Sequence, residues 1–438
     1  MARAKKEAAL TPEERLQAAL VPDWEWPYKL PENWCWVYAP HIFDIEYGKG
    51  LLTKQLSDTG YPVFGANGQI GFYSEYMYKE PQALMSCRGA YSGTMNKSLP
   101  YSYVTSNSLI ISSPRGLMGT DCIYYLFSAL NVSELISGTA QPQVTVQAFD
   151  GFPIPLSPLA EQQRIVDRIE SLFAKLDEAK EKAQAVVDSF EARKAAILHK
   201  AFTGELTAKW REEHGVRMES WEKKRLSDVV TEFKYGTSEK SDYNNKGIPV
   251  LRIPNIGDNG IDLSDIKYLN HRNVDSESQI HEGDILIIRS NGSRDLVGKA
   301  VLVPELGCEY AYASFLIRAK PNHSIINAHY LTIFLNSTDA RGQMFRRAKS
   351  SAGINNINTK ELGAISLTVP SLPEQDEIVH IINEMMDKDQ QSKEAAEAVL
   401  DQIDLMKKSI LARAFRGELG TNDPSEESAV ELLKRTIL

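Results

Sequence analysis

Cysteine is scarce and scattered in this sequence. The 438 residues hold four, Cys35, Cys87, Cys122 and Cys308, with no CxxC pair and no His–Cys cluster. That spacing argues against a disulfide framework and against a structural zinc site, and it suits a reducing cytoplasm. Long apolar runs are missing too, since none approaches the roughly 20 residues that a membrane span needs. Met1 to Glu7 carries basic residues without an apolar stretch behind them, so the start does not read as a secretory signal. Nor is positive charge in excess, because the formal net charge is −9. A polyanionic partner is still compatible with that balance, as binding depends on where charge lies. Arg346, Arg347 and Lys349 cluster, whereas Asp423, Glu426, Glu427 and Glu431 crowd the last residues.

Assembled catalytic motifs are also absent. No polar-Pro-Pro-aromatic loop, the kind that holds a flipped adenine for methylation, occurs anywhere. Gly65, Gly68 and Gly71 have the wrong spacing for a dinucleotide loop and read as turn residues. Gly292 to Lys299 resembles a phosphate-binding loop only superficially. Its glycines stand one residue too far apart, and Ala300 occupies the place of the magnesium-binding hydroxyl. The eight histidines include no HExxH, and no PD-(D/E)xK arrangement is convincing. His41, His271, His281 and His323 read as ordinary surface or core residues. With 42% hydrophobic residues the chain can build two or three cores. A chain of that size without a catalytic constellation points to binding or scaffolding.

What the sequence does contain is a duplication. Leu159-Ala-Glu-Gln-Gln-Arg-Ile-Val, running on to Ala201-Phe-Thr-Gly-Glu-Leu206, recurs as Leu372-Pro-Glu-Gln-Asp-Glu-Ile-Val, running on to Ala414-Phe-Arg-Gly-Glu-Leu419. The offset is 213 residues at both ends (159 to 372, 206 to 419), so the copies align without a gap. Weaker similarity precedes each copy: Trp34 before Tyr47-Gly48 resembles Trp221 before Tyr235-Gly236, and Gly60-Tyr-Pro-Val resembles Gly247-Ile-Pro-Val. The chain therefore reads as a globular module plus a helix, written twice, with the modules far more diverged.

Both copies carry a heptad seam. In the first it is Ile165, Ile169, Leu172, Leu176, Ala179, Ala183, Val186, Phe190 and Ile197. In the second it is Ile378, Ile382, Met385, Asp389, Ser392, Ala396, Val399, Ile403, Met406 and Ile410. No Gly or Pro interrupts Glu161–Phe202 or Glu374–Phe415, and Gly204 and Gly417 sit where helix C-termini are expected. Each helix is expected to run unbroken for about 60 Å. One such helix is poorly stable alone, so the other copy is the expected partner, in an antiparallel coiled coil. Asp389 and Ser392 would mark a wet, register-setting stretch. Glu161, Gln162, Glu374 and Gln375 read as helix caps.

The expected fold class is α+β: two mixed α/β modules separated by two long helices, with an internal pseudo-two-fold repeat. The expected segments are an N-terminal helical segment (1–23), a first module (24–158), a central helix (159–207), a second module (208–370), a C-terminal helix (371–420) and an acidic tail (421–438). Thr11-Pro12-Glu13-Glu14 reads as a capping box opening a short helix to about Leu20. Leu109-Ile-Ile-Ser, Ile285-Leu-Ile-Ile and Lys299-Ala-Val-Leu-Val read as strands, and His329 to Leu335 as a helix.

A variable module followed by a helix that begins Leu-x-Glu-Gln-x-x-Ile-Val and ends Ala-Phe-x-Gly-Glu-Leu, then both again, resembles the specificity subunits of type I restriction–modification enzymes (S subunits, the HsdS family). The resemblance runs from about Trp34 to Leu419, and its helix-end motifs are quite specific. It implies two target-recognition domains, each reading half of a split site on double-stranded DNA, with the helices as spacer. It implies a non-catalytic chain with two methyltransferase subunits docked on the helical region, and two motor–nuclease subunits joining them. S-adenosylmethionine, ATP and magnesium would then sit on those partners, and no metal or cofactor on this chain.

Base reading needs side chains with paired donors and acceptors, carried on loops. In the first module the candidates are Asn67, Gln69, Arg88, Tyr91, Ser92, Thr94, Asn96 and Lys97. In the second they are Arg252, Asn255, Arg289, Ser290, Asn291, Ser293 and Arg294. Arg346, Arg347 and Lys349 suit phosphates better. Phe202, Leu206, Phe415 and Leu419, just past the helices, are candidates for partner docking, as is the tail with its Ala429, Leu432 and Leu433 pattern. Two other readings stay open: a self-contained DNA modification enzyme with divergent motifs, and a coiled-coil adaptor that binds protein rather than DNA.

Overall fold

A computed structural model describes residues 11–138, 140–244, 246–258, 260–271, 279–351 and 353–437. The chain divides into two compact units, one running to Gln184 and resuming at Ala398, the other spanning Ala185–Glu397. Each boundary falls inside a long helix.

The two units share one plan. In the first, a four-stranded sheet has the order Asp44–Tyr47, Ser108–Ser112, Ala83–Ser86, Met95–Lys97. In the second the order is Val230–Tyr235, Leu316–Pro321, Ile285–Ile288, Ala300–Leu302. Numbered along each module, both read 1-4-2-3, with every neighbouring pair antiparallel. A three-stranded sheet accompanies each, and in both its middle strand pairs antiparallel on one side and parallel on the other. A two-stranded ribbon closes each module where the chain enters and leaves it, Cys35–Tyr38 with Pro153–Leu156 and Glu222–Arg225 with Ser366–Val369.

Side-chain alternation explains the central strands. Ile285 and Ile287 enter one apolar cluster while Leu286 and Ile288 enter another, so the strand is buried on both faces. Leu109 and Ile111 face the main core of the first unit, and Ile110 faces a smaller cluster with Leu84. The repeated Tyr-Gly pair has a steric cause. A Cβ on Gly48 would lie 2.3 Å from the Thr105 carbonyl oxygen, and one on Gly236 would lie 2.1 Å from that of Tyr312. Only glycine allows the adjacent strands to approach so closely.

The second long helix is continuous over Leu372–Ala414. The first is not. It spans Leu159–Asp188, breaks at Ser189, and resumes as Phe190–Phe202. No Gly or Pro causes this. The Ser189 hydroxyl donates to the Ala185 and Val186 carbonyls (2.6 and 3.3 Å), and Arg193 donates to Val186 as well (3.0 Å). Side-chain donors thus occupy a backbone acceptor of the helix at the break.

Within each unit the helices run antiparallel. In the first, Lys407 pairs with Asp177 and stands 5.0 Å above the Phe173 ring, and Lys180 meets Asp404 at 3.3 Å. In the second, Lys393 stands 4.7 Å above the Phe190 ring and Arg193 meets Asp389 at 2.6 Å. The expected seam needs one correction. Met385, Val399 and Met406 are 37%, 41% and 49% exposed, and Ser392 is exposed. The inward positions are one residue further on, at Met386, Lys393, Leu400 and Lys407, alternating with the expected Asp389, Ala396 and Ile403. Two of these are lysines, whose stems cover apolar surface while the ammonium rides on a ring, so a hydrophobic pattern misses them. Ile165 and Ile169, and likewise Ile378 and Ile382, belong to the module cores. Leu172, Leu176, Val186, Phe190, Ile197 and Ile410 are half-buried.

Both helices end with glycine in the left-handed region, Gly204 at φ +81° and Gly417 at φ +73°. The residues around these two ends are packed rather than free. Phe202 sets its ring against Tyr330 and Phe334, and Leu206 packs on the same core. Phe415, 3% exposed, and Leu419 pack into the core of the first unit. Phe415 is thus buried, while Phe202, Leu206 and Leu419 are part-buried against the cores. The acidic tail is likewise folded, with a helix at Ala429–Ile437 whose Ala429 and Leu433 are buried in that core. The capping box at Thr11 and Glu14 opens the helix Pro12–Ala19. Among the described residues, no helix is long and apolar enough to cross a membrane.

Candidate nucleic-acid interface

The Glu-Gln pair at the head of each long helix is where module and helix are joined. It does not cap. Glu374 is fully buried, and its carboxylate accepts from Trp221 Nε1 (2.9 Å), Thr207 Oγ1 (2.8 Å) and Arg211 (2.7 Å). Glu161, also fully buried, accepts from Trp34 Nε1 (2.7 Å), Asn422 Nδ2 (2.8 Å) and Thr421 Oγ1 (3.3 Å). In each repeat the glutamate thus ties three pieces of chain together: the helix start, the tryptophan that opens the module, and the segment beyond the end of the other helix. The glutamines do similar work. Gln162 donates to the Leu117 and Ser157 carbonyls, and Gln375 to those of Ile325 and Pro370. Buried polar groups bonded in this way fix one arrangement of module on helix.

In the first unit, a hairpin of Tyr61–Gly65 and Gly68–Tyr73 turns at Ala66 and Asn67, with Gly68 at φ +77°. Asn67 and Gln69 are exposed at this tip. The Ser86 hydroxyl donates to the Ala66 carbonyl, and Asn96 Nδ2 lies 3.4 Å from that hydroxyl, so Asn67, Gln69 and Asn96 gather around one point. Arg88, Tyr91 and Thr94 lie on the adjoining turn, with Arg88 and Tyr91 exposed. Ser92 spends its hydroxyl on the Pro142 carbonyl (2.7 Å) and is a turn-fixing residue. Lys97 is held by Asp121 at 2.8 Å, away from the hairpin tip.

In the second unit the candidates separate more sharply. Asn255 is 1% exposed, with Oδ1 accepting from the Arg252 N–H and Nδ2 donating to the Asp262 and Asp265 carbonyls. All its polar atoms serve the loop, so it cannot read a base in this conformation. Arg252 pairs with Asp265 at 3.0 Å, and hydrogen bonds from Tyr243 and then Arg252 hold that carboxyl below its usual value. Arg347 donates to the Gln343 and Ala364 carbonyls and closes the end of the helix Thr338–Arg347. Ser290 is 9% exposed and paired in a strand with Asn356. Lys349 begins the strand Lys349–Ser351, and its side chain lies outside the described set.

Five candidates remain together. Arg289 lies 4.4 Å above the Tyr235 ring, and Arg294 lies 5.0 Å above Phe345. Asn291 accepts from the Ser293 N–H at 2.8 Å, which shapes the exposed turn between the two arginines. Arg346 is exposed on the helix Thr338–Arg347, next to Phe345, with no ion-pair partner among the described residues. The structure adds Tyr235, Phe345, Arg341, Asn355 and Asn356 to this surface. Arg341 shares the Phe345 ring with Arg294, and burial pulls its guanidinium below the ordinary value, with Asp295 opposing. The amide run Asn355-Asn356 was visible in the sequence, but its strand pairing with Ser290-Asn291 was not. No group of three or more His, Cys, Asp or Glu side chains that could hold a metal occurs among the described residues.

One α+β module built twice, each copy clamped to a long helix and exposing guanidinium, amide and aromatic groups, defines a two-module recognition protein. The chain belongs to the family described as the type I restriction modification DNA specificity domain, which matches residues 31–187 and again 218–400. It is 30% identical over 293 residues to the EcoKI type I specificity subunit of Escherichia coli strain K12, and 27% identical over 296 residues to the StySPI specificity subunit of Salmonella potsdam. Each match covers 66% of this chain and 62% of the relative, so the aligned part spans less than two thirds of those proteins. The fold is similar to the HsdS subunit of Thermoanaerobacter tengcongensis, with TM-score 0.59, 20% identity, and 90% and 99% of the two chains covered. A chain solved in work on the complex assembly and conformational transition of the type I R-M system gives TM-score 0.65 at 20% identity, covering 90% of this chain and all of the other.

Proposed function

We propose that this chain is the DNA-specificity subunit of a type I restriction–modification complex in the cytoplasm, and that it catalyses nothing itself. Each module reads one half of a bipartite target, and the paired helices act as a coiled-coil spacer that sets the gap between the halves. The observation that carries the reading is that the family match falls twice, once on each module with the start of its helix. Stacked guanidiniums and clustered amides on the second module support it, because those groups contact guanine, adenine and phosphate.

Two methyltransferase subunits dock on the helical region and bring S-adenosylmethionine, and two motor–nuclease subunits bring ATP and magnesium. Docking uses the part-exposed faces of Phe202, Leu206 and Leu419 beside the buried Phe415, together with exposed apolar residues of the second helix such as Leu405 and Met406 (64% and 49% exposed). The test is a methylation map of genomic DNA from cells that produce this chain with its methyltransferase, against cells lacking only this chain. A split methyladenine motif that vanishes with the chain is the expected result. A map that does not change refutes the reading.

A further inference from the structure

Hydrogen bonding places the central sheets of the two units in residue-by-residue correspondence. Met85 faces Leu109 as Ile287 faces Ile317, and the next pairs are Ser86 with Ser108 and Ile288 with Leu316. One step past the strand, the Cys87 N–H donates to the Asn107 carbonyl, and the Cys87 carbonyl accepts from the Val144 N–H. Arg289 repeats both bonds, donating to Phe315 and accepting from Ile357. Cys87 and Arg289 therefore hold one position in a shared frame, beside strands that end in Tyr47 and Tyr235. The frame is common to the two modules and the side chain is not. One module has a buried thiol at this position, and the other has the longest fork of donors that a protein can supply.

Arg289 is set up to use that fork. Its guanidinium lies 4.4 Å above the Tyr235 ring, and the Tyr235 hydroxyl in turn accepts from the Thr359 N–H at 3.2 Å, which fixes the ring. Its Nε is buried beyond the reach of a ligand, so the donors it can offer are on the two terminal nitrogens, one of which stands 3.5 Å from Asn356 Oδ1, a weak bond at most. A planar guanidinium pinned on a ring with donors unspent lacks a planar pair of acceptors. Guanine offers such a pair in the major groove at O6 and N7. Phosphate offers acceptors too, but the neighbours here are the amides of Asn291, Asn355 and Asn356, the side chains that suit adenine edges.

We propose that Arg289 reads a guanine in the half-site of the second module, a contact that the first module lacks, since its equivalent position 87 carries a buried thiol. This rests on the specificity-subunit reading. The test begins with the methylation motif made by the wild-type chain and by Arg289→Gln, each with the methyltransferase. The expected result is that one guanine of one half-site becomes degenerate while the other half-site keeps its sequence. A motif that stays intact, whether at full strength or uniformly weakened as by a lost phosphate contact, overturns the proposal. Should the variant methylate nothing, the wild-type complex is bound to duplexes with 7-deazaguanine at each guanine of the half-site in turn. A fall of roughly tenfold at one of them is expected from losing the N7 acceptor. Equal binding to all of them overturns the assignment. A wild-type chain that yields no motif at all refutes the parent reading instead, and so the two failures stay distinct.

Discussion

Glu161 and Glu374 occupy the same place in the two repeats but face different company. Glu374 is met by Arg211, whose side chain is only 10% exposed, whereas the three donors to Glu161 are neutral. Glu374→Ala strands a buried guanidinium and should cost about 3–5 kcal/mol. Glu161→Ala leaves neutral donors unpaired and should cost about 1–3 kcal/mol. Urea unfolding of the two variants checks that order, and an equal loss would contradict it. The sequence marks both glutamates by repetition but not their task, because their partners lie 127 to 261 residues away. Asn255 misleads for a related reason: an amide in a Gly- and Asn-rich loop looks alike whether it faces solvent or its own backbone. A pH-dependent expectation concerns Glu426, whose carboxyl is held below 4.5 chiefly by its hydrogen bonds from Arg164 (2.8 Å each). A lowered folded value means that the contribution is full above about pH 4.5 and fades as pH falls through the folded value. Hydrogen exchange across residues 421–437 should therefore rise on acidification before the sheet cores open, and Glu426→Gln should remove that pH step.

Among the elements, the helix pair shows what periodicity can and cannot tell. Helices, their ends at Gly204 and Gly417, and about half of the seam were legible, since heptad spacing is a local signal. The other half was displaced by one residue because an apolar count prefers Met406 to Lys407 and cannot separate Met385 from Met386 or Val399 from Leu400. The break at Ser189 was hidden as well, for serine is unremarkable in a helix until its hydroxyl and a neighbouring arginine turn back on the carbonyls. Lys407→Glu would set a second carboxylate beside Asp177 and lose the Phe173 ring. Half-exposed as that pair is, the loss should be about 0.5–1 kcal/mol, while Lys407→Leu should be close to neutral. Urea midpoints of both variants decide whether position 407 belongs to the seam, since a harmless glutamate would place it outside.

At the scale of the whole molecule, the duplication announced two modules, and the family match falls on both. Composition did not announce DNA, because a net charge of −9 averages the basic cluster around Arg346 with an acidic second long helix and tail. Binding should still weaken steeply with salt, as phosphate neutralisation requires, and binding that ignores salt would favour a protein adaptor. If the helices are a spacer, deleting one heptad from each near Asp389 should shorten the tolerated gap by about three base pairs and leave both half-sites unchanged. Methylation mapping reads this directly, and an unaltered gap removes the spacer role.

The closure of the first unit has a consequence for synthesis. Leu411, Ala414, Phe415, Ala429 and Leu433 complete the core around Trp34 and Trp36, and Asn422 reaches Glu161. All of them leave the ribosome after the whole of Ala185–Glu397. The second unit has every residue it needs once that stretch has emerged, whereas the first, though begun earlier, waits for Leu411 to Leu433. Domains usually mature in the order of their making. Here the order is inverted, and the module translated first is finished last.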